Sequence, residues 1–319
     1  MSLPKILQNL ELPIVCAPMF IISGPELVIA QCKAGIVGSF PALNARPAEM
    51  LEKWIIRIKL ELDEYQKANP DKKVAPFAVN QICHGSNDRL QHDMEVCVKH
   101  EVPIIITSLQ APQPVFDAVH SYGGIILHDV TNIKHTKKAL SMGADGIVAV
   151  CAGAGGHAGT LSPFALVPEI RDFHDGILLC SGVISTGGSV LGAQAIGADL
   201  AYLGTRFIAT QEANADPEYK QMLIDSSAED VVYSSLFTGV SGNYLSKSVE
   251  AAGMDPANLP QADKSKMNFG SGGNSEKKAW RDIWSGGQGV GSIHDVPTVQ
   301  ELVDKMKKEY NEAKARLAI

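Results

Sequence analysis

Ser141-Met142-Gly143-Ala144-Asp145 runs into Gly146-Ile147-Val148-Ala149-Val150, and further along Ala195-Ile196-Gly197-Ala198-Asp199 runs into Leu200-Ala201-Tyr202-Leu203. Each phrase reads as a helix stop, with glycine in the left-handed cap and an aspartate opening a short apolar strand. The same punctuation twice implies a repeated strand-helix unit. Working outward, apolar or β-branched runs fall at 14–17, 35–40, 74–80, 103–108, 124–128, 145–150, 176–181 and 199–203. Helical signals lie between them at 25–32, 47–67, 88–99, 114–121, 133–141, 163–173 and 188–196. Eight such units in so short a stretch predict a closed (β/α)₈ TIM barrel, because an open doubly wound sheet usually has fewer strands in one domain.

The composition suits that fold. A chain of 319 residues with 45% hydrophobic and 20% charged residues can bury a large α/β core. Its net charge is −7, and the densest basic cluster, Lys305, Lys307 and Lys308, lies among acids on a C-terminal helix, which argues against nucleic acid as a partner. The start of the chain lacks a charged leader with an apolar core, and no window reaches the roughly 18 apolar residues of a membrane span. A cytoplasmic location is expected. The six cysteines show no C-x-x-C pair and read as reduced, mostly buried thiols, not as a disulfide frame or zinc site.

Beyond Thr210 the alternation loosens. Residues 1–224 and 285–319 are assigned to the barrel, and 225–284 to an insertion long enough to border or lid the site, with Gly270-Ser271-Gly272-Gly273-Asn274 as a mobile loop. The chain closes with Trp284-Ser285-Gly286-Gly287-Gln288-Gly289 and a helix over 296–317.

In such barrels the active site lies at the C-terminal ends of the strands. After the first strand stand Pro18, Met19 and Phe20, and the third ends at Asn80. The sixth leads from Val150 into Gly153-Ala154-Gly155-Gly156-His157, the seventh into Ser181-Gly182-Val183, and the eighth through Leu203 into Gly204-Thr205-Arg206. The last two loops are the ones barrels commonly use to hold a phosphate on backbone N–H groups, although each could be only a tight turn. Asn80 needs a polar partner inside an apolar strand, either a ligand ring or a capping contact. His157 stands in a glycine loop at the rim, accessible and titrating near neutral pH, and is read as a proton-transfer group. The alternative is a turn histidine bonded to backbone, and His128 is its rival. Gly153 to Ala158 also fits G-x-G-x-x-A, but it falls in the sixth unit and its helix starts late, which argues against a dinucleotide fingerprint.

Ile14-Val15-Cys16-Ala17-Pro18-Met19, Asn80, Ala154-Gly155-Gly156-His157-Ala158-Gly159, Ser181-Gly182-Val183-Ile184 and Leu203-Gly204-Thr205-Arg206-Phe207 together resemble the nitronate monooxygenase family, over 13–209 and again over 284–291. The resemblance implies a flavin-binding TIM barrel. It implies FMN held by Pro18, Met19 and Phe20, by Asn80, by backbone at Val150, Gly155 and Gly156, and at its phosphate by Ser181, Gly182, Val183, Leu203, Gly204 and Thr205. His157 would be the catalytic base, and a nitronate or nitroalkane would be oxidised with O₂ to a carbonyl compound and nitrite. The implied partners are thus small molecules, with a homodimer as the candidate assembly. One departure is Asp129, where some relatives carry a lysine. NADH:quinone reductases and enoyl-acyl-carrier-protein reductases of the same superfamily share the histidine and phosphate loops and are the nearest rivals. A non-catalytic phosphate-binding barrel is the more distant one.

Overall fold

A computed structural model describes residues 3–262 and 283–317 of the chain. Its strands are β1 (Ile14–Cys16), β2 (Gly38–Pro41), β3 (Phe77–Cys83), β4 (Ile104–Leu109), β5 (Ile125–Val130), β6 (Gly146–Val150), β7 (Gly156–His157), β8 (Ile177–Ser181), β9 (Leu200–Leu203), β10 (Val231–Ser234) and β11 (Gly242–Leu245). Eight of them form one parallel sheet in the order β1-β9-β8-β6-β5-β4-β3-β2. A Val15–Val37 bridge, with Cys16 N–H donating to Val37 O at 2.8 Å, brings the two ends together. The sheet is therefore the expected TIM barrel, with helices between its strands.

The two repeated phrases do the same work at both sites. Gly143 and Gly197 take φ of 101° and 112°, the left-handed conformation a glycine cap supplies without steric cost. Asp145 Oδ2 then accepts the N–H of Ile126 at 2.8 Å, and Asp199 Oδ2 accepts that of Leu178 at 2.8 Å. Each aspartate thus ties the start of its own strand to the start of the preceding one.

Side chains alternate across each strand. Val15, Ala78, Ile106, Leu127, Val148, Leu179 and Leu200 point inward and fill the barrel floor. Ile14, Val79, Ile105, Ile126, Ile147, Leu178 and Ala201 point outward into the layer shared with the helices. All six cysteines are buried and free. The helix Val299–Leu317 returns to the barrel, where Glu309 Oε2 accepts the Gly187 N–H at 2.8 Å and Tyr310 donates to Gln194 at 2.5 Å.

Three boundaries differ from the sequence reading. β3 runs on to Cys83, so Asn80 stands in mid-strand and not at its end. The segment after Gly155, read as an open loop, contains β7, which pairs antiparallel with β11, itself paired with β10. Gly270-Ser271-Gly272-Gly273-Asn274 lies outside the described residues. Among the described residues no helix is long and apolar enough to cross a membrane.

Candidate active site

Above the apolar floor, seven of the eight strands, at or just past their ends, turn Ala17, Asn80, Ser108, Asp129, Val150, Ser181 and Tyr202 inward, most of them small or polar. They line a cavity of about 360 Å³ at the C-terminal ends of the strands. Pro18, Met19, Phe20, Gly155, Gly156, His157, Gly204 and Thr205 are among the other residues that line it. A narrower cradle adjoins it, lined by Gly155, Ser181, Gly182, Val183, Leu203, Gly204 and Thr205. His157 and the residues expected at the cofactor therefore lie on one of two adjoining spaces.

The cradle is built of backbone. A Cβ on Gly155 would stand 2.5 Å from Thr205 Oγ1 and 2.8 Å from the Gly287 nitrogen, so only glycine fits there. Gly182 takes φ of 132°, and Val183 follows at φ 57°, a conformation that a β-branched residue adopts only under strain. Gly287 N–H donates to Thr205 Oγ1 at 3.0 Å, and Gln288 N–H to Gly153 O at 2.9 Å. Arg206, only 2% exposed, bonds Asp295 at 2.5 Å and the carbonyl of Ala209, so it locks the turn after β9 in place and does not line the cradle.

The opposite wall is built of side chains. Asn80 Nδ2 donates to Ile106 O at 3.1 Å and to Ser108 Oγ at 2.9 Å, and Ser108 donates on to Asp129 Oδ2 at 2.6 Å. Burial pushes the Asp129 carboxyl up to about 6, against the lowering effect of the Ser108 hydroxyl.

His157 is held by the small sheet. Its residue pairs with Gly242, and around it Asn243 donates to Ala154 O at 2.7 Å and Tyr233 to Ala158 O at 2.9 Å. Thr238 Oγ1 donates to Val240 O at 2.9 Å and lies 2.9 Å from His157 Nε2. With the hydroxyl proton on Val240 O, the pair is completed by an N–H at Nε2, the tautomer in which Nδ1 carries the ring's lone pair. Burial lowers the imidazole pKa to about 4. The ring is half-buried and pinned, not the freely accessible loop residue that its glycine neighbours suggest.

His128, the rival, points outward. It is 3% exposed, bonds Thr107 Oγ1 at 2.7 Å and meets the Phe116 ring edge-on, so it belongs to the strand-helix layer. His135 does reach the cavity, as do Ser108, Thr131, Tyr202, Tyr219 and Val240, none of which the sequence reading assigned to it. The signal for Ser108 and Tyr202 was the strand parity.

The family model for nitronate monooxygenase matches residues 3–309. A nitronate monooxygenase of Paraburkholderia phytofirmans is 24% identical over 96% of this chain and 94% of its own length. A hydroxy-methyl-oxo-octahydroindene-carboxyl-CoA dehydrogenase of Rhodococcus jostii is 26% identical over 73% of this chain, and the match spans 62% of that protein's length. Among solved structures, nitroalkane oxidase from Streptomyces ansochromogenes superposes with a TM-score of 0.78 at 24% identity, covering 98% of this chain and 100% of that one, a likeness of fold. With the family model spanning nearly the whole chain and the barrel in place, the protein belongs to the nitronate monooxygenase family, within the flavin-dependent oxidoreductases.

Proposed function

We propose that the chain is an FMN-dependent nitronate monooxygenase that oxidises alkyl nitronates with O₂ to a carbonyl compound and nitrite, and takes nitroalkanes after His157 removes their proton. The observation that carries this reading is His157, neutral and oriented by Thr238, opening onto the same cavity as a glycine-walled cradle. A phosphate fits that cradle, since Gly155 and Gly182 keep the space free of side chains and Ser181 and Thr205 add hydroxyl donors without a carboxylate.

Ser181, Gly182, Val183, Leu203, Gly204 and Thr205 would hold the phosphate. Pro18, Met19 and Phe20, with Asn80, Val150, Gly155 and Gly156, would bound the ring system. Bound there, FMN supplies the electron acceptor that the chain's own side chains lack. His157 holds its N–H on Thr238 and accepts the substrate carbon's proton at Nδ1, as a base already uncharged at neutral pH. Strands β10 and β11, which belong to the segment we assign as an insertion, fix the histidine against the rim.

A reductase drawing electrons from a nicotinamide is the second reading, favoured by the dehydrogenase relative. Anaerobic addition of preformed nitronate, and separately of NADH, to the flavin-loaded protein separates the two. Fast reduction by nitronate is expected.

A further inference from the structure

One carboxyl in the polar wall has no part in that chemistry. Asp129 occupies the inward parity of β5 and lines the cavity. Its Oδ2 accepts one hydrogen bond, from Ser108, while Oδ1 is sealed from solvent without a hydrogen-bond partner among the described residues. An ionised carboxylate has about four lone-pair sites and persists inside a protein only where donors or cations satisfy them. Here the neighbours offer little. β4 contributes Ser108, β6 contributes Val150, β9 contributes the Tyr202 phenol, and His135 and His157 face the same cavity, which no lysine or arginine among the described residues lines.

We propose that Asp129 becomes a neutral acid when FMN fills the cavity, so that cofactor binding takes up a proton at this residue. The inference rests on the FMN reading above. A carboxyl already raised by burial loses its remaining water when an uncharged ring system covers it, and its charged form becomes costlier still. With the bound-state pKa above the free-state value, affinity is constant below the free-state value and weakens by up to about tenfold per pH unit above it. An occupant that donated a hydrogen bond to ionised Asp129 would show the reverse slope.

The test is the dissociation constant of flavin-stripped protein for FMN and for riboflavin, read by flavin fluorescence between about pH 5.5 and 8.5. Riboflavin is included because a phosphate monoester itself titrates near about pH 6. Wild type is expected to lose about tenfold or more in affinity for both probes across that range, while Asp129→Asn binds riboflavin with a flat profile. The comparison cancels His135, His157 and the tyrosines, which both proteins share. Calorimetry of wild type in two buffers of different ionisation enthalpy supplies a readout that does not need the variant to fold: uptake approaching one proton per flavin at about pH 7.5 is expected. Tight binding with no proton uptake, equal slopes in both proteins, or affinity that rises with pH overturns the inference and leaves the FMN reading standing. No flavin binding at any pH overturns both.

Discussion

On the β6 to β9 side the cavity is walled by backbone, through Gly155, Gly182 and Gly204 with Gly287 packed behind, whereas on the β3 to β5 side it is walled by the side chains of Asn80, Ser108 and Asp129. The first wall offers fixed dipoles, and burial holds its Tyr202 phenol in the neutral form. The second is a hydrogen-bonded row ending in a carboxyl that is only half satisfied. A backbone wall suits an anionic group such as a phosphate ester, which fixed N–H dipoles can hold without a counter-charge. A side-chain wall can change charge with pH, and its contribution to binding changes with it. His157 belongs to neither wall and arrives from the small sheet above them.

Removing the His157 imidazole should have the largest effect. Replacing His157 with asparagine is expected to slow turnover of neutral nitroalkane by about 10²–10⁴-fold while leaving flavin bound and turnover of preformed nitronate far less affected. Steady-state rates with the two substrate forms check this, and equal losses would remove His157 from the role of base. Next comes the backbone wall. Gly155→Ala drives a methyl group to 2.5 Å from Thr205 Oγ1 and should weaken FMN by about 2 kcal/mol, roughly thirtyfold, in a fluorescence titration. Ser108→Ala, on the other wall, should cost less than about 1.5 kcal/mol in the same assay, since its two hydrogen bonds, from Asn80 and to Asp129, are made within the protein and are lost from the free and the bound form alike. The contrast between the walls fails if Ser108→Ala proves the more damaging.

A smaller effect is expected in stability. Asp129 has a folded pKa of about 6 against 3.8 for the free group, so its favourable contribution is present below about pH 4 and is lost as pH rises through 6. Asp129→Asn should therefore stabilise the protein by about 1–3 kcal/mol at about pH 8 and by little at about pH 4, measured by denaturant unfolding. His128 and His157, both lowered to about 4 by burial, act in the opposite sense. Their contribution is complete above about pH 6.5 and is lost as pH falls through 4, so wild type is buffered across the interval and the variant loses stability more steeply on acidification.

The backbone wall was legible in the sequence because glycines at strand ends announce themselves. Gly155, Gly182 and Gly204 follow apolar runs, and the Gly143 and Gly197 caps fixed the count of units. The side-chain wall was harder to see. Ending the third strand at Asn80 hid its continuation to Cys83, and with it the parity that sets Asn80 inward beside Ser108. Asp129 stood out only as a departure from relatives, because nothing local marks a carboxyl whose burial depends on neighbouring strands. The pairing of β7 with β11 was invisible for a related reason: Gly156 and His157 carry no strand signal, and their partner lies far along the chain. His135, on a helix at the rim, looked like any surface histidine.

The most direct measurement is the visible flavin absorbance of the purified protein during anaerobic titration, first with preformed nitronate and then, on a fresh sample, with NADH. The account predicts an FMN spectrum that nitronate bleaches much faster than NADH does, with nitrite released once air is admitted. Rapid bleaching by NADH with no nitrite from nitronate in air would contradict it.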